Sequence, residues 1–355
     1  MTLPIARSYA PMEARLVGEL PTGAAWQYEP KWDGFRCLAF RDGDRIDLMS
    51  KAGKPLARYF PDLVEVLSRV KATRFVLDGE IVIPHEGSLS FDELLLRIHP
   101  AKSRVDKLAA EHPASFIAFD LLVDDKGTSL VALSLEERRA ALEAFMAKQV
   151  KEPRIRLSPA TTRMVTVKKW FRSVGGGLDG VMAKQLDLPY QTGTRDGMQK
   201  MKSMRTVECV VGGFRYASKG TNLGSLLLGL YDDGGLLHHV GFTSNVPNDQ
   251  KADVTRRLEK LKKAPGFTGQ APGGPSRWST ERSSEWVPLA PTLVVEVQYD
   301  HFSGGRFRHG TSFLRWRPDK PPERCTIAQV EQEGRSALAL LPKITRATPM
   351  SKVNK

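Results

Sequence analysis

The feature that most limits what this chain can fold into is a change of texture at about Thr206. Before it, strand-like and helix-like segments alternate. "FRCLAFRDGDRIDLMS" reads as two strands around Asp42-Gly43, a hairpin signal. "FVLDGEIVIP" and "FIAFDLLV" are apolar, β-branched or aromatic runs of strand length. Between them "SFDELLLRI" reads as a short helix capped by Ser90. "SLEERRAALEAFMAK" opens with Ser134 three residues before Glu137, the spacing of a capping box. After Thr206, "VECVVGGFRY", "GSLLLGLYDDGGLLHHVGFTS" and "TLVVEVQYDHFSGGRFRHG" are short strands separated by glycine-rich turns. That pattern predicts a small all-β barrel, interrupted by one basic helix near "NDQKADVTRRLEKLKK" and by a Pro/Gly/Ser-rich loop over 264–284. The expected division is an α+β domain over 1–205, a barrel over 206–330 and a frayed tail over 331–355.

A chain of 355 residues is long enough for roughly two well-buried cores. Its formal net charge of +13 and isoelectric point near 9.7 point to a polyanionic partner, nucleic acid before an anionic membrane surface. No apolar run reaches the length of a membrane span, and "MTLPIARSYAPMEARL" lacks the apolar core of a leader peptide. Cys37, Cys209 and Cys325 are far apart and form no CxxC pair, against both a disulfide framework and a structural zinc site. A reducing cytoplasm is the expected location, with no membrane partner.

One spacing recurs: functional residue types two apart in extended segments, as in Lys31 with Asp33, Asp78 with Glu80, Lys200 with Lys202, and Arg315 with Arg317. On a strand such residues point to one face, so each pair could offer both heads to one ligand. Singly, each pair has an ordinary structural reading that prevails. Asp78-Gly79 suits a turn, Lys200 and Lys202 a solvated face, and Arg315 and Arg317 a phosphate-contacting patch. Together they describe a site for a metal-bound polyphosphate. The phosphate cradle GxxxxGK[ST] is absent, and "SVGGGLDG" fits no glycine-loop spacing, so such a site must use side-chain cations and a metal.

These residues carry a resemblance. "KWDG" at 31–34 resembles the KxDG motif of the covalent nucleotidyltransferases, the superfamily of ATP-dependent DNA ligases and mRNA-capping enzymes. "LDGEIVI", "FIAFDLL", "LDGVMAK", "KMK" and "RWRPDKPP" follow in the order of that superfamily's remaining motifs. The ending "RFRHGTSFLRWRPDKPPERC" is most similar to bacterial ATP-dependent DNA ligases of the small ligase C type, related to the ligase module of ligase D.

The resemblance implies an α+β nucleotidyltransferase domain, of ATP-grasp-like ligase type, followed by an OB-fold barrel. It implies ATP and Mg²⁺ (or Mn²⁺) as cofactors and nicked or broken double-stranded DNA as partner. The protein would act as a monomer in repair or end joining, with further repair proteins as possible recruiters. Lys31 would be the nucleophile that becomes lysyl-AMP, its pKa lowered by Lys200, Lys202 and a metal. Asp33 and Gly34 complete its motif. Glu29 would contact adenine and Phe119 would stack on it, while Arg36 would contact a nucleotide or nick phosphate. Glu80 would bind ribose or metal and Asp179 the metal. Lys200 and Lys202 would grip the α-phosphate, with Lys184 and Lys51 also on the nucleotide. Arg317, Asp319 and Lys320 would orient the leaving pyrophosphate. Three positions depart from the family pattern: Asp179 replaces the usual Glu, Lys51 a common Arg, and Met198 a common Trp. An RNA ligase or capping guanylyltransferase is the nearest rival, and an inactive module that binds DNA ends is the rival from another class.

Overall fold

The computed structural model describes residues 3–174, 177–273, 285–331 and 337–341. They form two compact units. The first takes the chain up to Lys202 together with residues 337–341; the second runs from Ser203 to residue 331.

In the first unit, two sheets lie on either side of a cleft. One has the order β1 (Arg15–Leu16), β9 (Met198–Lys202), β8 (Gly180–Gln185), β2 (Trp26–Pro30). The other has the order β4 (Arg45–Ser50), β3 (Phe35–Asp42), β5 (Arg74–Val82), β6 (Ser115–Val123), β7 (Ile155–Leu157). The hairpin at Asp42-Gly43 forms as expected, pairing Asp42 with Arg45. Alternation then divides the second sheet. Cys37, Leu77, Ile81 and Phe116 face a core closed by helices α1 (Pro61–Ser68), α2 (Phe91–Arg97) and α4 (Leu135–Gln149), with α3 (Lys102–Glu111) packed on α1 and α2. Arg36, Asp78 and Glu80 face the other way. The first sheet turns Tyr28, Val181 and Ala183 onto α5 (Met164–Val174), where Val167 and Trp170 are buried.

The expected helix starts hold. Ser90 Oγ accepts from Glu93 N at 3.3 Å, and Ser134 and Glu137 form a reciprocal capping box. A turn at Asp78-Gly79 does not occur: both lie inside β5, hydrogen-bonded on each side, because the flanking run of buried apolar residues extends through them.

In the second unit, β10 (Arg205–Tyr216), β11 (Leu223–Tyr231), β12 (Leu237–Thr243), β13 (Val294–Tyr299) and β14 (Ser312–Trp316) form an antiparallel sheet of order β12-β11-β10-β13-β14. Among the described residues its ladder does not close into a complete barrel. The two outer strands meet at a single parallel bridge, Thr243 to Thr311, where Thr243 Oγ donates to the Thr311 carbonyl at 3.0 Å. Its core includes Cys209, Phe214, Leu226, Leu228 and Val295. The basic helix forms as α6 (Lys251–Glu259). Of the expected loop over 264–284, residues 274–284 lie outside the described residues, as does 342–355 of the tail. The three cysteines are buried and free. Among the described residues no helix is long and apolar enough to cross a membrane.

Candidate active site

Register decides what faces the cleft. In the first sheet Met182 pairs with Glu29 on one side and Lys200 on the other, while Lys184 pairs with Gln27 and Met198. Directly opposed residues of antiparallel strands share a face, so Glu29, Met182, Lys200, Lys184 and Met198 form one polar and thioether wall. In the second sheet Arg36 opposes Glu80. Between the walls is a cavity of about 560 Å³, within the usual range for a small-molecule site, lined by Glu29, Lys31, Arg36, Lys51, Glu80, Phe119, Met182, Lys184 and Lys200 among others.

The loop over 31–34 crosses from one sheet to the other, since β2 belongs to the first and β3 to the second. Lys31 N donates to the Gly180 carbonyl at 2.9 Å, fixing the crossing against the segment that carries Asp179. The Lys31 ammonium pairs with the Asp179 carboxylate, and Trp32, which also lines the cavity, donates Nε1 to Ser158 Oγ at 3.0 Å. Gly34 is required by close approach: a Cβ there would lie 2.3 Å from the Ile81 carbonyl and 2.7 Å from Glu80 Cγ. The motif glycine thus lets the lysine loop press against the strand that carries Glu80.

Phe119 is placed by a bulge. Asp78 pairs with Asp120 and Gly79 with Ala118, which leaves Phe119 without a ladder partner. A bulge re-aims a side chain. The Phe119 ring has the Arg36 guanidinium 4.5 Å and the Lys184 ammonium 4.6 Å from its centre.

The two carboxylates of "LDGE" part company. Asp78 is fully buried and accepts from Arg36 Nε at 2.5 Å, Arg36 Nη2 at 2.6 Å and the Tyr190 hydroxyl at 2.6 Å. It holds the guanidinium and does not line the cavity. Glu80 does line it, and burial pushes its carboxyl up to about 8, against the opposing pull of Arg36 and Lys31. Burial lowers the Lys31 pKa; Glu80 and Asp33 oppose that shift and Lys202 and Lys200 add to it. Burial also lowers the Lys200 pKa, with Lys51, Lys202 and Arg195 acting in the same direction. Glu29 and Lys184, 2% and 6% exposed, form an ion pair at 2.8 Å. Lys51 pairs with Glu13 at 3.2 Å. Carboxylate oxygens of Asp33 and Asp179 lie within 4.8 Å of each other.

The fold therefore gathers Glu29, Lys31, Asp33, Gly34, Arg36, Lys51, Glu80, Phe119, Asp179, Lys184, Lys200 and Lys202 in the first unit. Arg317, Asp319 and Lys320 belong to the second, where Arg317 and Lys320 converge on Glu208. Arg317 Nη1 donates to Glu208 at 2.5 Å and pairs with Asp319 at 2.8 Å, and Lys320 reaches Glu208 at 3.4 Å. Sequence reasoning passed over Met182, which the alternation in "GVMAKQ" places on the face of Lys184. It also passed over Tyr190, whose hydroxyl link to Asp78 spans 112 positions and leaves no local signal.

A family model described as ATP dependent DNA ligase domain matches residues 11–202, and one described as ATP dependent DNA ligase C terminal region matches 219–320. The chain is 43% identical over 355 residues to DNA ligase C2 of Mycolicibacterium smegmatis, covering 95% of this chain and 98% of that one. It is 43% identical over 350 residues to DNA ligase C of Mycobacterium tuberculosis, covering 94% and 96%. A solved Lig E DNA ligase shares the fold, with a TM-score of 0.53 at 17% identity over 87% of this chain and 99% of that chain.

Proposed function

The chain belongs to the ATP-dependent DNA ligases, and we propose that it seals nicks bearing a 5′-phosphate and a 3′-hydroxyl through an AMP carried on Lys31. Its first unit is the nucleotidyltransferase domain and its second the OB-fold domain. The observation that carries the assignment of Lys31 is its setting: a lysine with a lowered pKa, paired with Asp179, in a cavity lined by Glu29, Phe119 and Lys200.

A lysine attacks only as the neutral amine, and burial beside Lys200 and Lys202 moves Lys31 toward that form. In the first step a Lys31 Nζ–P bond forms at the α-phosphate, the α–β phosphoanhydride breaks, and pyrophosphate leaves with the electron pair. Asp179 is the paired carboxylate that takes the amine proton. Phe119 stacks on adenine, Glu29 with Lys184 reads its edge, and Lys200 and Lys202 hold the α-phosphate. Arg36, held by Asp78, and Lys51 take further phosphate oxygens, and Glu80 the ribose. Arg317, Asp319 and Lys320 act on the leaving pyrophosphate. AMP then passes to the 5′-phosphate of the nick, and the 3′-hydroxyl displaces it.

Asp33 and Asp179 fit a magnesium ion: carboxylates this close favour a divalent cation, Mg²⁺ binds through few carboxylates and shared phosphate oxygens, and Glu80, which feels the Asp33 charge, would be a further ligand. When bound, it supplies charge neutralisation at the phosphates and further lowers the Lys31 pKa. The enzyme works as a monomer in the cytoplasm on duplex DNA. Incubation with labelled ATP tests the assignment. An acid-labile, base-stable AMP adduct on the wild type and none on Lys31→Ala is the expected result; an adduct that survives Lys31→Ala refutes it.

A further inference from the structure

Residues 337–341, with the sequence ALALL, follow the second unit in the chain yet belong to the first. Ala337 and Leu341 are 4% and 6% exposed. They share one apolar cluster with Trp32, Val82, Ile117 and Phe119, and Leu338 and Leu340 pack on its edge. Leu340 also reaches the cluster of Tyr28, Trp170 and Val181 behind the other sheet. The segment therefore touches the back of the first sheet, through Leu340, and the cleft-side face of the second, where Val82 and Ile117 share the face of Glu80. Trp32 is next in the chain to Lys31, Tyr28 is next to Glu29, and Phe119 is the bulged residue with no register partner on β5.

We propose that residues 337–341 are a positioning element for the nucleotide, with Ala337 and Leu341 holding Trp32 and Phe119 so that Lys31 and the stacking ring are set before ATP arrives. The inference rests on the reading of the cavity as the ATP site. Trp32 is fixed by Ser158 at its indole nitrogen and by this cluster at its apolar surface. Without the segment, the lysine loop and the bulged ring must be ordered by ATP itself, and binding weakens by that ordering cost. Coupling of this kind is reciprocal: what strengthens nucleotide binding must itself be strengthened by the nucleotide.

Two measurements test this on the full chain. In Leu341→Asp and Leu341→Ala, KM for ATP in adenylylation should rise about tenfold, within the usual span of such couplings. The rate at saturating ATP should stay within about threefold, and Leu341→Met should restore KM. In the wild type, amide exchange across 337–341 should slow on adenylylation. An unchanged KM in Leu341→Asp overturns the proposal, and so does exchange at 337–341 that is indifferent to adenylylation. Should a variant lose its cooperative melt, the wild-type exchange measurement decides alone. A wild type that forms no AMP adduct would instead defeat the ATP-site reading, which separates the two failures.

Discussion

Arg36→Met keeps the apolar stem of the side chain and removes the guanidinium. Asp78 is then left fully buried with the Tyr190 hydroxyl, at 2.6 Å, in place of a bidentate cation. Deleting one partner of a buried ion pair costs about 3–5 kcal/mol, because the remaining charge has lost both its water and its counter-ion. A domain of this size loses roughly 2–4 °C of melting temperature per kcal/mol, so Arg36→Met should melt about 10 °C below the wild type. The double variant Arg36→Met/Asp78→Asn removes the orphaned charge and should recover most of that loss. Thermal melting of the four proteins of this cycle gives the stability term, and gel-based joining of a nicked duplex gives the functional one. Recovery of melting without recovery of joining assigns Arg36 a contact with substrate phosphate beyond its bond to Asp78. A melting temperature for Arg36→Met within about 2 °C of the wild type would refute the energetic reasoning. Full return of joining in the double variant would reduce Arg36 to scaffolding.

Lys31→Ala should abolish joining with ATP yet retain measurable joining of a synthetic 5′-adenylylated nick, since the nucleophile is spent once AMP sits on DNA; equal loss in both assays would count against its role. The raised Glu80 pKa of about 8 penalises the ionised carboxylate in the folded state, so stability present below the usual carboxylate range is lost as pH climbs toward 8. Glu80→Gln should therefore match the wild type in melting at pH 5, melt higher at pH 8, and join nicks poorly; a melting difference that does not grow with pH contradicts this. Asp179→Glu should move metal preference from Mn²⁺ toward Mg²⁺ in the adenylylation assay, and identical metal profiles would make the shorter side chain neutral. Lys200→Met removes one of the cations that lower the Lys31 pKa, so the acid limb of the adenylylation pH profile should move to higher pH; an unmoved limb means the two lysines are electrostatically independent.

Local patterns carried much of the fold into view. The hairpin at Asp42-Gly43, the caps at Ser90 and Ser134 and the strands through Val76 and Ile117 all rest on spacing within a few residues, which is what periodicity and turn chemistry report. The turn reading of Asp78-Gly79 failed because a buried strand tolerates Asp-Gly when a distant residue, here Arg36, neutralises the acid. The bulge at Phe119 was not legible: it arises from a register shift between β5 and β6, and register belongs to the pair of strands rather than to either. The ALALL segment left a trace, an apolar run in a polar tail. Its destination on Trp32 and Phe119, about two to three hundred positions earlier in the chain, has no local signature.

The site at rest is nearly self-neutralised, and this bears on how a polyphosphate enters it. Lys31 holds Asp179, Arg36 holds Asp78, Lys184 holds Glu29 and Lys51 holds Glu13. In the proposed site each of these cations would meet the nucleotide only by sharing or exchanging a partner. Lys200 differs. It faces Lys51, Lys202 and Arg195, with Glu13 opposing, and burial compounds their repulsion. An ammonium crowded by like charge gains most from an arriving phosphate, because the anion relieves several repulsions at once. In the proposed function Lys200 would thus be the first contact for the α-phosphate. Its occupation would remove one of the charges that depress the Lys31 pKa, a charge that a magnesium ion held at the proposed Asp33 and Asp179 site would replace. In the proposed site, seating the phosphate on Lys200 would thus take away part of what lowers the Lys31 pKa, and activation of the nucleophile would be tied to arrival of the complete substrate.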